Sequence, residues 1–329
     1  MTVPTGAVYF LPMPSSDNNR AKTSFKTYKH YLLGYSYLLD LECPTYESIS
    51  SRTVEIPRNT NADIGRITSL LFNAWNSEML LNLPRHLSLD FIKFSNHWSP
   101  VQSYYGIYLS LRSLMIAKNM QTHGDHAATL QDCVSNLISG QKLIPAPWNI
   151  LATADGYKNM TLETLPEINS QEDPSLFRKD RDKLVASVCM FIRTTRDRLV
   201  EDAVSEWKTQ HSLANGNKRS NLPAGQRQEI SAAVRDVSVF DALYRLRVRS
   251  NYKDADMFLL GSDSSQAQEY LNALTKITDK TLMMLEMYIS RSMGKNAFKQ
   301  ACAEYLERTK TLITVTGSKR GIAARLEYI

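Results

Sequence analysis

Three arginines, Arg245, Arg247 and Arg249, alternate within Leu-Tyr-Arg-Leu-Arg-Val-Arg-Ser-Asn-Tyr-Lys-Asp, residues 243–254. A guanidinium is always charged and presents a planar fork of donors, which can grip a phosphate through two parallel hydrogen bonds. Alternating over a helix end, the three cannot all face one way. At least one is expected to pair with a buried carboxylate such as Asp241 or Asp254, and Arg247 is the candidate for phosphate. A second basic run, Arg178-Lys179-Asp180-Arg181-Asp182-Lys183, leads on to Arg193, Arg196 and Arg198. It is dense enough to track a nucleic-acid backbone. Its interleaved Asp180, Asp182 and Asp197 equally suit a solvated, self-paired helix face.

His123 and His126 lie in the polar turn Gln-Thr-His-Gly-Asp-His, residues 121–126. An imidazole exchanges its proton near neutral pH, so these two can do acid–base chemistry if the fold brings the turn to the arginines. Otherwise they are capping or surface residues. Tyr104, Tyr105 and Tyr108 suit core or interface packing better than base stacking. Asp254 and Asp256 have no His or Glu cluster beside them, so an N-cap or ion pair is expected there, and no metal. There is no Gly-x4-Gly-Lys, Gly-x-Gly-x-x-Gly or Gly-x-Ser-x-Gly motif, and no cofactor is expected.

The elements that must position these residues are helical. Val8–Leu11 is the one weak strand candidate, and a short helix is predicted over 28–41, ended by Pro44. Asp63 is a fair N-cap for the stripe Ile64, Ile67, Leu70, Leu71, Ala74, Met79 and Leu80. Ser99-Pro100 opens a helix to about residue 119, with apolar or aromatic residues Tyr104, Tyr108, Leu111, Leu114 and Met115 at offsets of three and four. A short helix is predicted over 127–138. Four prolines between residues 139 and 175 predict little regular structure there. Helices are then predicted over 176–207, 226–249, 262–292 and 295–311, with loop composition at 213–225. The class is therefore all-α, packed as a bundle.

Taken together, Tyr104-Tyr105, Thr122-His123 and Leu246-Arg247 with Asn251-Tyr252, ahead of a long helix, resemble the HEPN family. The resemblance covers residues 64–140 and 226–292. It implies a HEPN-like four-helix bundle with 1–63 as an N-terminal arm, 141–225 as an inserted helical segment and 293–329 as a C-terminal helical extension. Active members of that family are dimeric, metal-independent RNases of toxin–antitoxin, abortive-infection and CRISPR-linked systems. Their signature is an Arg followed four to six residues later by His. This chain departs from it: no residue from Ser250 to Asp256 is His, and Tyr252 stands in a matching place. The resemblance implies Arg247, Asn251, Tyr252 and His123 as catalytic candidates in a cleft near a two-fold axis. Arg245, Arg249, Arg178, Lys179, Arg193 and Arg196 are the candidates for contacts to RNA. It also implies a homodimer, or a complex with a defence-system protein. The other expectation is a non-catalytic interaction subunit, in which the insertion or the N-terminal arm docks a partner.

Bulk properties set outer bounds. A chain of 329 residues with 43% hydrophobic and 22% charged side chains can bury a large core, which argues against disorder. No run approaches the ~20 apolar residues that cross a bilayer. The first residues lack the early basic cluster of a signal peptide. Cys43, Cys133, Cys189 and Cys302 fall in no pair spacing, which suits a reducing cytoplasm. A net charge of +6 permits a nucleic-acid partner without demanding one.

Overall fold

The computed structural model describes residues 15–160, 162–212, 219–253, 255–316 and 321–329. In chain order, α1 is Ser15–Glu42, α2 Tyr46–Arg52 and α3 Ile64–Asn82. A 3₁₀ turn at Leu83–His86 leads to α4, Leu89–Ser95, and α5, Ser99–Ala117. Next come α6, His126–Asp132, and a π-type turn, Cys133–Gly140. Strands β1, Leu151–Ala152, and β2, Tyr157–Lys158, precede α7, Arg181–Gln210, and α8, Gln226–Ala233. β3, Val237–Ser238, runs into α9, Val239–Val248, and a π-type turn at Arg249–Lys253. The chain ends in α10, Ala255–Leu260, α11, Ser264–Met293, α12, Lys295–Thr316, and α13, Ile322–Arg325. The class is all-α, with one small antiparallel sheet in which β1 pairs with both β2 and β3.

The helix starts follow local chemistry. Asp63, Asp180 and Asp263 each accept a hydrogen bond from the main chain three residues on, which satisfies an otherwise orphan N–H of α3, α7 and α11. Helix α11 is buried on nearly every side from Leu282 to Met293, the pattern of a central helix. Helices α1, α3 and α5 pack on it, α5 also against α3, and α1 also against α7. At Gly34 a Cβ would stand 2.3 Å from Ser187 Oγ, so only glycine lets α1 and α7 approach this closely. Lys280 of α11 caps the end of α1 by donating to Leu39 O at 3.1 Å and Cys43 O at 2.8 Å.

A main core runs from Phe25 to Ile329, and a smaller cluster of Val200, Val204 and Ile230 joins α8 to the second half of α7. The segment expected as an N-terminal arm supplies Tyr28, Leu32, Tyr35 and Leu39 to the main core. Its helix begins thirteen residues earlier than the apolar stripe predicts, because α1 continues through polar residues once α7 and α10 flank it. The segment expected as an insertion likewise buries Leu184, Val188, Phe191 and Ile192 of α7. The helix predicted over 226–249 is broken. Asp241 accepts from the N–H and hydroxyl of Ser238 at 2.8 and 2.9 Å, a capping box that restarts the helix as α9. The strand candidate at Val8–Leu11 lies outside the described residues.

A fully buried arginine ties the last turn of chain to this core. Arg325 donates to Glu286 at 2.7 and 2.8 Å, to Asp279 at 2.8 Å and, in bidentate fashion, to Glu78. Trp75 Nε1 adds a bond to Glu286 at 2.8 Å, and Tyr46 one to Asp279 at 2.7 Å. Burial pushes the Glu78 carboxyl above its ordinary range, with Arg325 opposing. Removing the one cation among three carboxylates strands them. Arg325→Met is therefore expected to lower stability by about 3–5 kcal/mol in urea unfolding followed by far-UV circular dichroism. The loss should narrow at acidic pH, where the stranded carboxyls take up protons; a variant of wild-type stability would contradict this role.

Candidate functional site

Helix α9 lies between α5 and α7 and contacts both. Its buried face, Val239, Phe240, Leu243 and Leu246, fixes its rotation, and the arginines divide accordingly. Arg247 turns toward α5, where Nη2 donates to the Tyr105 hydroxyl at 2.9 Å and the guanidinium sits 5.4 Å from the centre of that ring. Arg245 and Arg249 turn the other way. Arg245 donates to the Thr194 hydroxyl at 3.1 Å, and Arg249 to the Tyr28 hydroxyl at 2.9 Å.

The imidazole that joins Arg247 is His126, the first residue of α6. Its Nδ1 is 2.9 Å from the Tyr104 hydroxyl. Tyr108 lies 4.3 Å away between ring centres, Tyr105 5.9 Å, and Tyr244 is stacked on it at 5.4 Å. Arg112 flanks the cluster, 5.7 Å from the Tyr108 ring. The Tyr108 hydroxyl and Arg112 Nε are buried with no hydrogen-bond partner among the described residues. Polar atoms in that state call for a water or a ligand group. Burial lowers the His126 pKa first, the charges of Arg247 and Arg112 lower it further, and Asp125 opposes them. The half-buried ring is therefore held neutral at neutral pH.

Tyr244 belongs to a second feature as well. With Ala127 it walls a hollow of about 480 Å³ between α7 and α9. Arg20, Arg198, Arg235, Arg245 and Arg249 line it against only Asp202 and Asp241. Asp241 pairs with Arg235, and Asp202 with Arg198 at 2.7 Å. The arginines outnumber the carboxylates, so the hollow favours an anion. Arginine groove and imidazole thus share one tyrosine wall.

The other sequence candidates fall elsewhere. His123 pairs with Asp132 at 3.2 Å, so the histidine of that turn beside Arg247 is the second one. Asn251 is half-buried on the turn after α9. Tyr252 shares that turn, and its side chain lies outside the described ones. Arg178 and Lys179 are exposed ahead of α7 and do not line the groove. Arg193 donates to the carbonyls of Thr153 and Gly156 at 2.9 and 2.6 Å and braces the β1–β2 hairpin. Arg196, 1% exposed, donates to Ser231 O and Val234 O at 2.6 and 2.9 Å, which fastens α8 to α7. Sequence reasoning missed Arg112, Arg20 and Tyr244, and had Arg198 only as part of the basic run that leads through α7. For Arg112 a signal existed: Tyr104, Tyr108 and Arg112 repeat every four residues on one face of α5.

Among the described residues, no group of three or more His, Cys, Asp or Glu could hold a metal ion. None of their helices is long and apolar enough to cross a membrane. No family model, curated protein or solved structure matches the chain.

The lowered pKa of His126 has a testable sign. The folded chain binds this proton less readily than the unfolded chain, so unfolding takes up a proton once the pH is below the ordinary value of 6.5. The contribution is intact above that value and is lost as pH falls from there toward the folded pKa. His30, also lowered by burial, adds to the same slope. The urea midpoint should therefore drop between about pH 7.5 and pH 5.5, and less steeply in His126→Asn. An unchanged slope in that variant would remove the assignment.

Proposed function

We propose that the chain is a HEPN-like protein of a prokaryotic defence or toxin-type system that binds single-stranded RNA and cleaves it without a metal. One observation carries the reading: His126 and Arg247, 121 positions apart, share a tyrosine cluster beside an arginine-lined groove. The groove would take the phosphate backbone, and the half-buried Tyr105 and Tyr244 would meet unpaired bases. Arg247 and Arg112 would meet the phosphate at the scissile bond. An anion there offsets the two charges that depress the His126 pKa, so substrate binding would make the imidazole a stronger base.

The ribose 2′-oxygen attacks the neighbouring phosphorus while its proton passes to Nε2 of His126. The bond to the 5′-oxygen breaks, leaving a 2′,3′-cyclic phosphate, and the departing oxygen takes a proton back from the imidazolium. Nε2 is free to accept only in the tautomer whose Nδ1–H donates to Tyr104, which gives that tyrosine an orienting role.

A second reading, a non-catalytic subunit that holds a partner, is favoured by one contact. The Tyr105 hydroxyl already engages Arg247, as it would in a purely structural brace.

Fluorescence anisotropy and gel assays with end-labelled single-stranded RNA in EDTA separate the two readings. The catalytic reading expects cleavage to cyclic-phosphate ends, lost in His126→Ala with RNA affinity kept. It expects Arg198→Gln with Arg249→Gln to weaken binding about tenfold and to reduce the slope of log affinity on log salt by roughly 1.4. Binding without cleavage would leave the non-catalytic reading. No RNA affinity at all would remove both the enzyme and the groove's assignment.

A further inference from the structure

A second surface stands out for the wrong polarity. Leu87, Leu89, Phe91, Phe94 and Trp98 are 54%, 55%, 44%, 54% and 48% exposed, all within twelve residues of chain. Leu83, on the turn that packs against α4, adds to them. Single exposed apolar residues are ordinary, whereas a run of leucines and aromatics turned to solvent marks a contact surface. Of α4 itself only Ile92 is buried, so the helix is held by one anchor and offers the rest of its apolar side chains outward.

The charge around this run selects its occupant. Asp90 is the sole acidic residue between Glu78 and Asp125. Lys93 of α4 meets Lys22 and Lys26 of α1 around one hollow of about 480 Å³. Lys29 also lines it but is paired with Glu269 at 2.7 Å. Asp263, the carboxylate in the lining, is occupied in capping α11. A second copy packed through this surface about a two-fold axis would bring lysines toward lysines. Single-stranded RNA would stack on the aromatic rings but has little use for exposed leucines. A bilayer with anionic headgroups answers both features, since leucine, phenylalanine and tryptophan enter the headgroup–acyl boundary while lysines meet phosphate.

We propose that the surface formed by Leu83, Leu87, Leu89, Phe91, Phe94 and Trp98, with Lys22, Lys26 and Lys93 at its rim, docks the protein peripherally on anionic phospholipid. No segment crosses the bilayer in this arrangement. Helix α1 gives Arg20 to the groove as well as Lys22 and Lys26 to this rim, whereas the apolar residues lie on elements that neither the groove nor His126 uses, so the phenylalanine variant separates docking from RNA binding.

Sedimentation of the full-length chain with two kinds of vesicle tests it: phosphatidylcholine alone, and phosphatidylcholine with phosphatidylserine. Binding is expected to the second kind, and to weaken with added salt. Phe91→Ser with Phe94→Ser, and separately Lys22→Glu with Lys26→Glu, should each lower binding roughly tenfold or more, with near-UV circular dichroism unchanged. Absence of binding to phosphatidylserine vesicles overturns the proposal, as does binding indifferent to both pairs of substitutions. So does a dimer by light scattering that the phenylalanine substitutions dissociate. RNA affinity lost in the phenylalanine variant, without any vesicle binding, would also overturn it and give the surface to RNA.

Discussion

An α-helix advances about 100° per residue, so side chains two apart point to nearly opposite sides and side chains four apart nearly coincide. That constraint, applied to α9, organises the site. Leu243 and Leu246 lock the helix into the core, and the capping box of Ser238 and Asp241 fixes where it starts. With start and rotation set, Arg245 turns to α7, Arg249 to Tyr28 of α1, and Arg247 to α5. Tyr244 stands between the two directions and serves both surfaces. A shift of one residue in the start of α9 would turn the arginines toward buried leucines, at the cost of charge without solvent.

The bundle tolerates ionised groups in its interior where each is matched. Arg325 holds three carboxylates, Lys280 holds Asp40 and two carbonyls, and Arg196 holds two carbonyls. Such bonds connect elements distant in sequence, and each leaves a stranded group when cut, which makes the arrangement specific rather than merely compact. The imidazole cluster differs. Its unpartnered Tyr108 hydroxyl and Arg112 Nε stand beside a histidine whose neutral form is favoured. Among the described residues other buried polar atoms lack partners too, His30 Nε2 and the Tyr35 and Tyr270 hydroxyls among them, but here two of them adjoin a half-buried imidazole and the arginine-lined groove.

Much of the frame could be read from the chain. The stripes of α3, α5 and α11, with Asp63, Ser99-Pro100 and Asp263 at their starts, define those helices through local chemistry alone. The first half of α1 could not, because Asn19, Arg20, Lys22 and Lys26 give no apolar stripe and tertiary packing decides their conformation. The restart at Ser238 was written in Ser-x-x-Asp but was masked by a continuous helical composition around it. Arg247 could be named as a candidate from its motif, but that His126 and not His123 lies in the tyrosine cluster beside it could not. Both sit in a turn without periodicity, and the docking of α6 against α5 is a long-range outcome. The groove is assembled from α1, α6, α7 and α9, so no single stretch of sequence announces it. Arg193 and Arg196 shared the basic composition of a nucleic-acid strip, yet their geometry spends their donors on carbonyls.

Tyr244 forms one wall for both the arginine groove and His126, so the proposed RNA strand would pass from one to the other. Photocrosslinking of RNA carrying 4-thiouridine, followed by mass-spectrometric mapping of the attached peptides, tests this directly. Crosslinks centred on Tyr244, with neighbours on the Arg198 side of α7 and at Tyr105, are the predicted result. Crosslinks confined to Arg178–Lys183, or absent from α9 altogether, would contradict it.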